Sequence, residues 1–455
     1  MLQRIHGRPS RACLLLRDAS FPAPFPHELE YSPACRGTWN IVHTGMTLPE
    51  SHQIFACASG CLRGVVLTAA EMGLMERFSS IELKERDLVQ TDNEQLLIQG
   101  VTDILQKLQH LHKLPRAVLL FPACVHHFLG CDLRYVYKTL RERFPAIGFA
   151  ECFMDPIRQT KSLTPEERLR RAIFRLLPPQ GKAPRTANII GSNLKTDERS
   201  DFARLLQQSG WVLRDMTRYD SYDEFLKMGG SCLNLYTNPF SLPAVRDLKK
   251  RLGQDCLYLP QVWRAADIEA TLQSLLACLD LTMAQRTAAE QEIQSWQRQA
   301  GQALQAAKRV IGTRPLALDL TFTFRPLNLA RLLIEHGFNV TRLYSDAFLP
   351  EERDDFCWLQ QHAGTLELFA TKNPDMRILP RSSSPDTLAL GQKAAYFCDT
   401  PYFVNYVEGG GSWGFAAVTE LARLMTDACR HPQAIRPAVS RKGWGGPSIL
   451  STTPD

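Results

Sequence analysis

Beyond residue 100, short apolar runs alternate with amphipathic stretches along the chain. Residues 117–121 (Ala-Val-Leu-Leu-Phe) carry no polar side chain, the pattern of a strand buried on both faces. A helix is expected over 133–144 and a strand over 149–153. The Pro- and Gly-rich stretch 178–184 reads as a linker. A second series follows, with strands at 187–192, 211–214, 232–236 and 256–259 and helices at 198–209 and 243–252. Residues 267–310, rich in Ala, Gln, Glu and Arg, read as a connecting helix pair whose Gln and Arg positions form a solvated face. The third series places strands at 315–320 and 339–344 around a helix at 326–336, with further strands at 366–370, 376–379 and 394–397.

Strands alternating with helices at this spacing imply parallel sheets joined by right-handed crossovers. The expected fold is α/β, with three Rossmann-like, doubly wound units over 31–180, 181–310 and 311–455 after an N-terminal extension at 1–30. Ligands of such sheets bind outside the carboxyl ends of strands. Cys124, Asn193, Asn238 and Thr323 all fall just past expected strand ends, so the units could surround a central cleft. No G-x-G-x-x-G or G-x-x-x-x-G-K-[ST] run opens any unit, so the chain has no sequence signal for holding NAD or ATP itself.

Composition narrows the class. The 455 residues are 44% hydrophobic and 22% charged, as in an ordinary globular protein with a large core. The net charge of +6, from 53 basic and 47 acidic residues, is too small and too mixed to indicate nucleic-acid binding. No apolar run reaches membrane-spanning length. The apolar stretch 12–16 is too short for a signal peptide, which points to the cytoplasm.

Thirteen cysteines is a high and odd count, unlike a secreted disulfide framework. Cys152, Cys256, Cys278, Cys357 and Cys429 lie in apolar or amphipathic stretches and read as packed thiols. Cys131 reads as a helical packing residue. Cys35 (Ala34-Cys35-Arg36-Gly37), Cys57 (Cys57-Ala58-Ser59-Gly60-Cys61) and Cys124 (Phe121-Pro122-Ala123-Cys124-Val125-His126-His127) differ, because a turn or strand end would present each thiolate. Thiolates at such positions suit an iron–sulfur cluster, and the chain has no C-x-x-C pair of the kind a structural zinc site uses. A buried core thiol is the competing reading for each. Cys61 stands in for Cys57 if the loop turns the other way, and otherwise lies beside the cluster.

Cys57 followed seven residues later by Gly64-Val65-Val66 is similar to the first cluster-binding loop of the nitrogenase component 1-like oxidoreductases. The run from Phe121 through Cys124 to Cys131-Asp132 resembles that family's strand-end cysteine loop. Pro401-Tyr402-Phe403-Val404-Asn405-Tyr406, followed by Gly409-Gly410-Gly411-Ser412-Trp413, resembles its last loop and helix over the cofactor pocket. The resemblance covers most of the chain after about residue 30. It departs in one loop: the family's His-Gly-x-x-Gly-Cys stretch is absent, since residues 67–82 hold no cysteine. Cys35 could take that place. The positions matching the family's active-site cofactor ligands fall near Asn238 and Gly410, neither a metal ligand, and Cys232 is six residues out of register.

The resemblance implies an iron–sulfur cluster, 4Fe-4S or a larger P-cluster-like assembly, held by Cys35, Cys57 and Cys124 and shared with a homologous component 1 subunit. A second, larger iron–sulfur cofactor is the further expectation. A separate ATP-dependent iron–sulfur reductase would deliver low-potential electrons for relay to a small substrate. The missing loop favours the less-studied branches, with carbon–sulfur cleavage of methylthio-alkanes first among them. His126 or His127 would donate a proton or a hydrogen bond to a sulfide, or simply start a helix, and His43 and His52 carry the same two readings. Arg325 would neutralise a buried cluster or form a surface ion pair. A non-catalytic scaffold for cofactor assembly, and a binding module whose cysteines are all structural, are the competing functions.

Overall fold

The computed structural model describes residues 12–26, 41–90, 92–154, 163–377 and 386–435. Three sheets with flanking helices make a mixed α/β fold, and the chain divides into two compact units. One combines Trp39–Thr196 with Gly210–Leu259. The other combines Asp197–Ser209 with Pro260–Asp455 and the N-terminal residues up to Thr38.

The first unit holds two four-stranded sheets. In one, Phe78–Glu82, Ser51–Cys57, Ala117–Pro122 and Gly148–Glu151 lie side by side, every pair parallel. Its two central strands are buried along their whole length. Period-two alternation sends Ile54, Ala56, Val118 and Leu120 into one apolar core, and Phe55, Cys57, Leu119 and Phe121 into the other. Phe55 and Phe121 stack with ring centroids 4.3 Å apart, fixing the two strands against each other. The second sheet orders Val212–Asp215, Thr186–Ile190, Leu233–Tyr236 and Asp255–Tyr258, again all parallel.

The other unit carries six strands: Cys13–Leu15, Glu367–Phe369, Asn339–Tyr344, Pro315–Asp319, Leu388–Leu390 and Phe403–Val404. All neighbours are parallel except Cys13–Leu15, which forms one edge and runs antiparallel to Glu367–Phe369. The connecting helix pair is Ala265–Cys278 and Met283–Ile311, the latter starting in a Thr282/Gln285 capping box.

Two strand expectations are corrected. Residues 394–397 lie inside the helix Gln392–Cys398, and Met376 lies in the 3-10 turn Pro374–Arg377. The first error has a local cause. The Asp319 carboxylate, at the end of its strand, accepts the Ala394 N–H at 2.8 Å and so satisfies a donor in the first turn of that helix. Cys131 sits in the turn before the helix Leu133–Arg143, half-buried against an apolar core. Cys278 and Cys357 are exposed rather than packed. Among the described residues, no helix is long and apolar enough to cross a membrane.

Candidate functional site

The carboxyl ends of the two central strands of the first sheet bring three cysteines together. Cys57 is the last residue of its strand and is buried. Its carbonyl accepts from the Leu83 N–H at 3.1 Å, and the neighbouring Ala56 carbonyl accepts from the Ala123 N–H at 3.1 Å. The second bond ties the start of the Cys124 loop to the strand that carries Cys57, and the first fixes that strand's end against the residue that follows Phe78–Glu82. Cys124, half-buried, opens the short helix Cys124–Phe128, and Cys61, exposed, lies in the first turn of the helix Ser59–Glu71.

The electrostatics record this convergence. Burial first, and then the nearby Cys61 and Cys124 thiols, push the Cys57 thiol from its ordinary 9.0 up to about 12. Three thiols at one strand end repel one another as they ionise, and a bound cationic centre is what reverses that order. The helix Ser59–Glu71 adds a favourable dipole. Its N-cap is Ala58, with no side-chain cap; the Cys61 N–H turns back to the Ala58 carbonyl at 2.9 Å, which leaves Ser59 and Gly60 at the positive end of the helix. Among the described residues, no group of three or more His, Cys, Asp or Glu is set to hold a single metal ion. A polynuclear cluster takes one thiolate per iron and so spaces its sulfurs more widely than a single ion does.

Of the candidate ligands, Cys57, Cys124 and the lesser candidate Cys61 therefore meet, while Cys35 lies outside the described residues. His126 is buried beside them. Its Nδ1 sits 3.3 Å from the Ala123 carbonyl oxygen, which makes Nδ1 the protonated nitrogen, and Nε2 is buried without a partner. Burial holds the imidazole below its usual range despite that bond and the Glu94 charge. The neutral ring thus offers an acceptor at Nε2. His127 is exposed. His52 is committed elsewhere: its Nε2 lies 2.8 Å from Ser79 Oγ, and burial and Arg77 push it down to about 4. His43 is buried within the helix Ile41–Met46.

Sequence reasoning missed the apolar rim of this site. Phe128 and Leu129, directly after the cysteine helix, are 70% and 43% exposed, and Leu67 on the Ser59–Glu71 helix is 41% exposed. Periodicity over so short a helix carries no signal for outward-facing apolar residues.

Other expected ligand positions are filled by the protein. Asn238 is a buried cap: its Nδ2 donates to the Gly191 carbonyl at 2.9 Å, and its Oδ1 accepts from the Ser241 N–H and hydroxyl. In the other unit, Gly409, Gly410 and Gly411 all have positive φ and form a tight turn. A Cβ on Gly409 would lie 1.6 Å from Gln261 Nε2, and one on Gly410 would lie 1.9 Å from the Tyr406 ring. Gln261 fastens that turn by donating to the Gly409 and Ser412 carbonyls. The glycines make room for the chain's own side chains. Arg325 is buried, and its charge acts on the buried Glu352.

With this geometry in place, the chain can be set against known proteins. Comparison with curated proteins gives no match. A solved structure of "Nitrogenase Cp1 at pH 6.5" superposes with a TM-score of 0.63, covering 89% of this chain and 94% of that chain at 14% identity. A second, "Nitrogenase Cp1 at pH 5", gives a TM-score of 0.61, covering 97% and 95% at 12% identity. At such identities the likeness concerns the fold. The family profile "Nitrogenase component 1 type Oxidoreductase" matches residues 45–427, most of the sequence. The chain belongs to the nitrogenase component 1 type oxidoreductases.

Proposed function

We propose that this chain is a subunit of a nitrogenase-like iron–sulfur reductase, relaying low-potential electrons from a separate ATP-hydrolysing reductase to a small substrate. The observation that carries the proposal is the meeting of Cys57, Cys61 and Cys124 at adjacent parallel strand ends, in a family of redox proteins. When bound, an iron–sulfur cluster supplies one-electron carriage at low potential. Cys57 and Cys124, with Cys61 or Cys35, would hold it, and the positive end of the helix Ser59–Glu71, which no side chain caps, would offset its negative charge. His126 Nε2 would hold or accept a proton beside it.

Three thiolates leave a cubane one ligand short, so a homologous partner subunit would supply the remainder. The exposed Phe128 and Leu129 beside the thiols suit burial by that partner. A second, larger cofactor gains no ligand at Asn238 or Gly410. Carbon–sulfur cleavage of methylthio-alkanes is the proposed reaction class. It rests on the absent His-Gly-x-x-Gly-Cys loop rather than on a substrate-contacting residue.

The test is anaerobic iron and sulfide quantitation with EPR, on the chain co-expressed with partner subunit and assembly machinery, for wild type and for Cys35→Ala, Cys57→Ala, Cys61→Ala and Cys124→Ala. Loss of cluster signal in Cys57→Ala and Cys124→Ala is expected. Iron-free wild-type protein would leave only the binding-module reading. Turnover with reductase and ATP separates relay from scaffold, because a scaffold loads and releases cluster without reducing substrate.

A further inference from the structure

A second site, sharing no residue with the cysteines, lies along the edge strand Gly148–Glu151. Here a cavity of about 600 Å³ is walled by that strand, the helix Leu133–Arg143 and the helix Pro165–Arg175. Its volume falls within the range of small-molecule sites. Arg168, Arg171 and Arg175 line it from one helix, at spacings of three and four that place all three on a single face. Arg141 lines it from the other helix.

Like charges stacked along one helix face destabilise that face, so each guanidinium's partner matters. Arg141 donates to Glu151 at 2.8 Å and Arg175 to Asp247 at 3.0 Å. Arg168 lies over the Phe153 ring, 5.0 Å from its centroid, and donates to the Leu163 carbonyl. Arg171 makes no hydrogen bond or ion pair with any described residue. It is half-buried, and burial first, then Arg175 and Arg168, holds it below its usual range against the pull of Asp247 and Glu151. With Arg141 on Glu151 and Arg175 on Asp247, the four arginines still outnumber the carboxylates facing them among the described residues, and the Arg171 guanidinium fork is uncommitted. Guanidinium forks match phosphate and carboxylate oxygens two at a time, and Phe153, already under Arg168, gives an apolar wall.

We propose that this cavity binds a small polyanion, a molecule carrying two phosphate or two carboxylate groups, with Arg171 as its central contact. The dicarboxylate and diphosphate classes share the chemistry the arginines recognise. The experiment separates them by titrating the full chain with pyrophosphate and with succinate at low ionic strength, read by calorimetry.

One saturable site for at least one probe is expected, and the tighter probe names the source. Arg171→Gln should weaken binding about tenfold or more, as loss of a charge-assisted bidentate contact does. Arg171→Lys, which keeps the charge but loses the fork, should fall between the two. Arg423→Gln, an exposed arginine paired with Glu420 and Asp427 in the other unit, should bind as wild type does. Three results overturn the proposal: neither probe saturates, binding is equal in wild type and Arg171→Gln, or Arg423→Gln is weakened as much as Arg171→Gln. Unchanged melting of ligand-free Arg171→Gln shows that a loss of binding is local.

Discussion

Alkylation of the metal-free chain tests the thiol arrangement without any assumption about which cluster it holds. A thiol reacts through its thiolate. With its ionisation moved from 9.0 to about 12, Cys57 carries about one-thousandth of the thiolate of an ordinary cysteine at any pH below 9. Iodoacetamide at pH 8, followed by peptide mass spectrometry, should therefore label buried Cys57 far more slowly than exposed Cys61, although the higher-pKa thiolate, being the better nucleophile, recovers part of the difference. Burial alone would also slow Cys57, so the pH profile is the deciding measurement. A shifted thiol keeps reacting about tenfold faster per pH unit up to pH 10 and beyond, whereas a thiol that is merely hard to reach levels off near 9. The double variant Cys61→Ser/Cys124→Ser removes the two like-charged neighbours and should move the Cys57 profile to lower pH. A Cys57 profile that levels off near pH 9, or does not move in the double variant, would refute the convergence of these thiols.

Four further outcomes follow from the same structure. His52 is held neutral in the fold, with its ionisation lowered to about 4. The unfolded chain therefore takes up the proton first, and about 3 kcal/mol of stability present above pH 6.5 should be lost as pH falls to 4; denaturant midpoints of wild type and His52→Asn across that window check it. Phe121→Ala, at a fully buried ring stacked on Phe55, should cost about 3–5 kcal/mol by denaturant unfolding. Gly410→Ala, with φ of 63° and the Tyr406 ring in the way, should cost on the order of 2–4 kcal/mol, whereas Gly60→Ala, with open space around it, should be tolerated in thermal melts. Phe128→Asp should leave the melting of the isolated chain within about 0.5 kcal/mol of wild type yet weaken association with a co-expressed partner, measured by sedimentation velocity.

The parts of the fold legible in the sequence were those whose burial is apolar. Ala117–Pro122 is buried on both faces by apolar side chains and reads as a strand at sight. Its equally buried neighbour Ser51–Cys57 does not, because its first half is Ser51, His52 and Gln53. Specific partners hold these side chains: Ser51 Oγ donates to the Leu48 carbonyl, His52 pairs with Ser79, and Gln53 Nε2 donates to the Val42 carbonyl at 2.9 Å, while Gln53 Oε1 stays buried without a partner. Such partners come from other elements and leave no trace in local periodicity. The same holds at the glycine turn, where nothing in the run 409–411 shows that Gln261 and Tyr406 occupy the space a Cβ would take.

The missed strand is what changes the weight of the cysteines. From sequence, Cys57 and Cys61 are alternatives, since a loop that turns one way or the other presents only one of them. Once Ser51–Cys57 is a central strand, Cys57 ends it pointing into the apolar core side, with its carbonyl fixed by Leu83. The helix then begins at Ser59, and Cys61 falls in its first turn. Strand end and helix start are separate backbone positions, so both thiols can serve one centre, with Cys124 arriving from the adjacent strand. The proposed cluster would then draw its thiolates from positions 57, 61 and 124 and need none from residues 67–82, where the sequence holds no cysteine.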